Sequence, residues 1–98
     1  MTTVTIDAKG RRIHIRAIGH AGDPEVCHGI SALMFMAAGC MNNRSCTQYA
    51  QVLEDGMAVL DFETWSPALK EDIRAMTIGL LQIEQSHPDN IRVVQNIF

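Results

Sequence analysis

Cys27 follows His20 by seven positions, across a turn that contains Gly22 and Pro24. An imidazole that close to a thiol suggests one chemistry above others. A thiol attacks a carbonyl carbon only as the thiolate, and a neighbouring imidazole can take its proton. The sequence also sets the thiol where a helix should begin: Asp23 is a good helix cap, Pro24 suits the first helical position, and Glu25 complements the positive end of the helix dipole. A helix N-terminus lowers a thiol pKa through partial positive charge and free backbone N–H groups, and the same groups can hold the oxyanion of a tetrahedral intermediate. On this reading Cys27 is the nucleophile of a cysteine endopeptidase that works through an acyl-enzyme. His20 is its general base and later protonates the leaving amine. Ser31 lies one helical turn beyond Cys27, on the same face, and can hydrogen-bond the site or the substrate backbone. The plain alternative for a lone cysteine near a histidine is a small buried hydrophobe beside a surface imidazole.

Other chemistries have weaker support. A zinc site made from His20, Cys27, His28 and either Cys40 or Cys46 matches no common ligand spacing, so no metal and no cofactor is expected. His28 directly follows Cys27, and adjacent helical positions point about 100° apart, which makes it a pocket-edge or surface residue rather than a second base. Cys40 and Cys46 read as packing or loop thiols, His14 as a solvated outward residue of its strand, and His87 as a helix-end residue. Trp65 and Tyr49 read as ordinary packing or as the lining of a groove, and Asp61 and Glu63 as solvated edge charges. No glycine-rich phosphate loop is present.

The composition bounds the rest. The chain has 98 residues, 47% hydrophobic and 19% charged, enough for one compact domain spanning 1–98 with a single core. A domain this small buries a modest share of its surface, so pairing with a second copy is a reasonable way to gain core. The net charge of −3, without a Lys/Arg cluster, argues against nucleic acid as a partner. The first residues lack the basic start and long apolar run of a signal peptide, and no apolar stretch approaches the roughly 20 residues that span a bilayer. Three cysteines, an odd number with no C-x-x-C pair, suit reduced thiols, so the expected location is cytoplasmic.

The elements that must position His20 and Cys27 follow from periodicity. Val4 and Ile6 alternate with Thr3, Thr5 and Asp7, and Ile13 and Ile15 alternate with His14 and Arg16, so residues 2–18 predict a hairpin with its turn at Asp7–Gly10. Val26, Ile30, Leu33 and Ala37 form one helical stripe, and this helix is expected to end near Gly39, with 41–45 as loop. A second hairpin is expected from about Cys46 to Leu53 and Met57 to Phe62, joined by Asp55-Gly56. Ser66 caps a second helix with Pro67 in its first turn, and Leu69, Ile73, Met76, Leu80 and Ile83 supply its apolar face. Ile78 and Leu81 lie off that stripe and face either a second subunit or the border of the same core. A short final strand is expected at 91–94. The order ββαββα predicts a two-layer α+β fold with two helices on one face of an antiparallel sheet.

Gly19-His20-Ala21, then Val26-Cys27, then Ser31-Ala32-Leu33 resemble the signature of the bacterial ribosomal-processing cysteine protease family, Prp. The likeness extends to Leu80-Leu81-Gln82-Ile83-Glu84 and to His87-Pro88-Asp89-Asn90-Ile91-Arg92-Val93, and so covers nearly the whole chain. The resemblance implies a homodimeric α+β fold with His20 and Cys27 as the catalytic pair; Gly19, Asp23, Glu25 and Ser31 are the residues expected to support that pair or bind substrate. It also implies a substrate: a peptide segment of a bacterial large-subunit ribosomal protein, the twenty-seventh, from which a short N-terminal extension is removed. Related enzymes are connected with phage capsid and scaffold proteins, which gives an alternative substrate class. The chain departs from the family pattern in three places. Only Gly22 to Val26 separate Ala21 from Cys27, where typical members carry a longer glycine-rich loop. Glu25 stands where those members have Asp, two residues before the thiol, and His28 stands where a small residue is usual. The short loop together with His28 favours the rival reading, a peptide-binding module with weakened turnover.

Overall fold

Alternating apolar residues become the strands of one sheet, and the two apolar stripes become helices that cover it. In the computed structural model, which describes residues 1–97 with only the backbone at Ile97, the chain runs β1 (Thr2–Lys9), β2 (Arg12–Ile18), α1 (Pro24–Asn43), β3 (Thr47–Glu54), β4 (Met57–Glu63), α2 (Pro67–Ser86) and β5 (Ile91–Ile97). The expected α+β fold with the order ββαββα is therefore present. The sheet has the strand order β3-β4-β2-β1-β5. Its inner face buries Val4, Ile6, Ile13, Ile15, Ala17, Leu60, Phe62 and Ile91 in one core with Val26, Ile30, Met34 and Met41 of α1 and Leu69, Ile73, Met76 and Leu80 of α2. No helix among the described residues is long and apolar enough to cross a membrane.

Four details differ from expectation. The final strand is longer than 91–94, and it pairs parallel to β1 while the other pairs are antiparallel. The reason is the path of α2. The helix carries the chain back across the sheet, so β5 enters beside the start of β1 and in its direction, with the Thr2 N–H donating to the Asn90 carbonyl at 3.0 Å. The first hairpin turn is tighter than Asp7–Gly10, because β1 stays paired through Lys9 opposite Arg12 and Gly10 supplies a positive φ of 59°.

In the third detail, α1 continues past Gly39 to Asn43, and the Arg44 N–H caps it on the Cys40 carbonyl. Gly39 costs roughly 0.5–1 kcal/mol in a helix interior. Carrying the helix on to bury Met41, which is 1% exposed, contributes about 1.5–3 kcal/mol, so burial wins. In the fourth, Met34 rather than Leu33 lies on the buried stripe. Leu33 instead packs on α2 at Gly79, where an added Cβ would come within 3.0 Å of its Cδ1. Ile78 is 54% exposed on the outside of α2, while Leu81 is half-buried.

Asp61 is not a solvated edge charge. It is 16% exposed on the outer sheet face, accepts two hydrogen bonds from Arg12 at 2.7 and 3.0 Å, and lies 3.3 Å from His14 Nδ1. These groups sit near the β1–β2 turn, with Arg11 stacked on Trp65 and Arg12 on Tyr49. The two aromatic residues thus pack against arginines, away from His20 at the opposite end of β2.

Candidate functional site

The strand β2 delivers His20, and three contacts hold its backbone in place. The Gly19 N–H donates to the Gly56 carbonyl at 2.9 Å, and the Thr2 hydroxyl donates to the Gly19 carbonyl at 3.2 Å. One residue past His20, the Ala21 carbonyl accepts from Asn90 Nδ2 at 2.8 Å, and Ala21 itself is buried. Gly19 has to be glycine: its φ is +102°, and a Cβ there would stand 2.5 Å from the Met1 carbonyl oxygen. The Gly-His-Ala element is therefore clamped between the start of β1, the β3–β4 turn and the residue before β5.

The helix α1 delivers Cys27. Asp23 caps it, as expected, with Oδ1 accepting from the Glu25 N–H at 2.9 Å and the Val26 N–H at 3.2 Å. The Cys27 N–H donates to the Asp23 carbonyl at 3.0 Å. Pro24 has no N–H to offer. Every backbone donor of this first turn is thus engaged, and the expectation that these groups stand free for an oxyanion is not met. The cap that makes the helix start here consumes them. The helix dipole remains, with Cys27 one turn from its positive end.

His20, Cys27 and Ser31 line one cleft of about 240 Å³, between α1 and the end of the sheet where β2 and the β3–β4 turn meet. Phe35 and Met57 add apolar wall, and Asp55 stands at the rim. Cys27 is half-buried, and no hydrogen bond joins it to His20 among the described residues. The His20 ring rests on the β3–β4 turn instead: a Cβ on Gly56 would lie 2.8 Å from its Nε2 and 3.1 Å from its Cε1. Its Nδ1 is 3.9 Å from Asp55 Oδ1. An imidazole held by its neighbours at rest and free to swing toward the thiol is compatible with base chemistry, since such contacts often tighten only with substrate bound.

Glu25 lies elsewhere. It is exposed and lines a second groove with Gln82, Ser86 and His87, so the carboxylate nearest to His20 comes from the β3–β4 turn and not from the segment before the thiol. His28 is exposed and does not line the cleft. Cys40 and Cys46 are free, half-buried thiols packed against the core, and burial pushes the pKa of both up. Among the described residues no three His, Cys, Asp or Glu side chains are grouped to hold a metal ion. The residues that sequence reasoning missed are Asp55, Phe35 and Met57. Asp55-Gly56 was legible only as a turn, because nothing in the spacing shows which distant element a turn will meet.

By sequence alone the chain matches no protein-family model and no curated protein. Solved structures do match. The chain is similar to the ribosomal processing protease Prp from Staphylococcus aureus in complex with a covalently linked product peptide, with a TM-score of 0.84 and 23% identity over 98% of this chain and 100% of that one. The same protease in complex with a substrate peptide matches with a TM-score of 0.75 and 20% identity over 98% and 100% of the two chains. A protein from Streptococcus mutans matches with a TM-score of 0.74 and 16% identity over 100% and 96%. At these identities the likeness establishes a shared fold over essentially the whole chain.

Proposed function

We propose that this chain is a cytoplasmic cysteine endopeptidase, homodimeric and without a cofactor, that removes a short N-terminal extension from the twenty-seventh protein of the bacterial large ribosomal subunit. One observation carries the reading. A thiol at a helix N-terminus and an imidazole share a cleft, in a fold whose solved examples include a processing protease bound to substrate and to covalently linked product peptide.

In the proposed reaction His20 takes the Cys27 proton, and the thiolate adds to the scissile carbonyl. The tetrahedral intermediate collapses as His20 returns the proton to the leaving amine, which departs with the downstream protein. Water, deprotonated by His20, then hydrolyses the thioester and regenerates the thiol. Ser31 is in place to hydrogen-bond the peptide backbone. Phe35, 61% exposed beside the cleft, and Met57 offer an apolar surface to the substrate.

The experiment is incubation of the host's ribosomal-protein precursor with wild type and with Cys27→Ala, read by intact mass. The expected result is a shortened product with wild type only, and Cys27 alkylating faster than Cys40 and Cys46, whose burial keeps them protonated. Peptide binding without cleavage, with three equally slow thiols, would establish the binding-module reading. The engaged N–H groups at the start of α1 are the observation that favours that alternative.

A further inference from the structure

Within the peptidase reading, on which this step rests, the base needs a partner that keeps one ring nitrogen protonated and leaves the other to accept the thiol proton. Glu25 faces the groove beside α2 and is not available for this. We infer that Asp55, in the β3–β4 turn, is the positioning residue of His20.

Three observations converge on that turn. Asp55 Oδ1 lies 3.9 Å from His20 Nδ1, in ion-pair range and one small rotation from a hydrogen bond. The next residue, Gly56, has no side chain, and the His20 ring lies over the space that a Cβ would fill. The Gly56 carbonyl holds the Gly19 N–H, which fixes the distance between turn and base at the backbone. The turn therefore grips the residue before the base and seats its ring, with a carboxylate beside it. With Nδ1–H held by Asp55, Nε2 is the nitrogen that takes the Cys27 proton. Asp55 stays ionised throughout and stabilises the imidazolium, so the proton shuttles only between Cys27 Sγ, His20 Nε2 and the leaving amine. The other titratable groups lining the cleft are Glu54 of the same turn and Cys27 itself.

The test uses Asp55→Asn, Asp55→Glu and Glu54→Gln in the full chain, with two readouts. The first is the 15N NMR spectrum of the His20 ring, which reports the tautomer and does not depend on turnover. Both groups are largely exposed, at 65% for His20 and 98% for Asp55, so the expected effect is modest. Asp55→Asn should lower the ratio of the Nδ1–H to the Nε2–H tautomer of His20 about twofold to fivefold, with the effect shrinking in high salt. Asp55→Glu should restore part of it. The second readout is peptide cleavage, where Asp55→Asn should lower kcat with KM unchanged.

An unmoved tautomer ratio in Asp55→Asn overturns the inference, whatever the activity. So does an equal shift in Glu54→Gln, which would reduce Asp55 to general field. A moved tautomer ratio in a protein whose Cys27 is inert overturns the peptidase reading instead, and the positioning role falls with it.

Discussion

Gly56 and Gly10 make a matched pair for testing whether the β3–β4 turn seats His20, the proposed base. Both have positive φ, 76° and 59°, in the tight turns of hairpins. Replacing either with Ala forces an L side chain into the left-handed region, at about 1–2 kcal/mol. For a domain of this size each 1 kcal/mol lowers Tm by roughly 4–8 °C, so the two variants should melt alike. They differ in what the new methyl meets. At Gly10 nothing lies within 4 Å, whereas at Gly56 the Cβ would stand 2.8 Å from His20 Nε2. Ordinary contact needs about 3.5–4.0 Å, so the ring must retreat by about 1 Å. The retreat adds little to the loss of stability, because His20 is mostly exposed and free to move. Displacing a general base by about 1 Å can cost about 100-fold in rate. The assay is thermal melting together with cleavage of the ribosomal-protein precursor at a temperature where both variants stay folded. Gly10→Ala should cleave like wild type, and Gly56→Ala should fall by about two orders of magnitude. Equal cleavage by the two variants would refute the seat of His20 on this turn.

Asp61→Asn should change the acid stability of the fold. The hydrogen bonds from Arg12 hold the Asp61 carboxyl below its ordinary pKa, against the opposing effect of burial. A depressed folded pKa contributes stability that is complete above the ordinary carboxylate range and is lost as pH falls through the folded value. Wild type should therefore be the more stable protein at neutral pH, and its advantage over Asp61→Asn should shrink as pH falls below the ordinary carboxylate range in urea titrations. Thr64→Val removes a buried hydroxyl that donates to the Ser45 carbonyl at 2.7 Å and accepts from the Ser66 N–H at 2.9 Å, and should cost about 1–3 kcal/mol by chemical denaturation. Asp23→Ala should cost about 1 kcal/mol through loss of the cap, with Asp23→Ser recovering most of it.

The local devices were legible because each acts through neighbours in sequence. Asp23 with Pro24, and Ser66 with Pro67, mark both helix starts, and the capping bonds form at those residues. Alternation placed Val4, Ile6, Ile13 and Ile15 on the buried face, and the four-three spacing placed Leu69, Ile73, Met76 and Leu80 in the core. Where expectation failed, a distant partner outweighed a local preference. Gly39 reads as a stop, yet burial of Met41 carries α1 past it. Leu33 and Met34 are equally plausible core residues by type, and the approach of α2 at Gly79 decides between them. Asp61 alternates outward like a solvated charge, and only the register of β2 against β4 brings it to Arg12 and His14.

The same division runs through the site. Residue type and spacing by themselves determined that His20 and Cys27 flank one turn, that the thiol opens a helix, and that Ser31 shares its face. These are properties of a few consecutive residues, set by dihedral preference and helical periodicity. Tertiary structure alone decided which carboxylate stands by His20, that the N–H groups before Cys27 are already occupied, and that Phe35 and Met57 wall the cleft. Each of those depends on two segments far apart in the chain meeting at one end of the sheet. Such a meeting is settled by strand register and helix packing, and no local pattern records it.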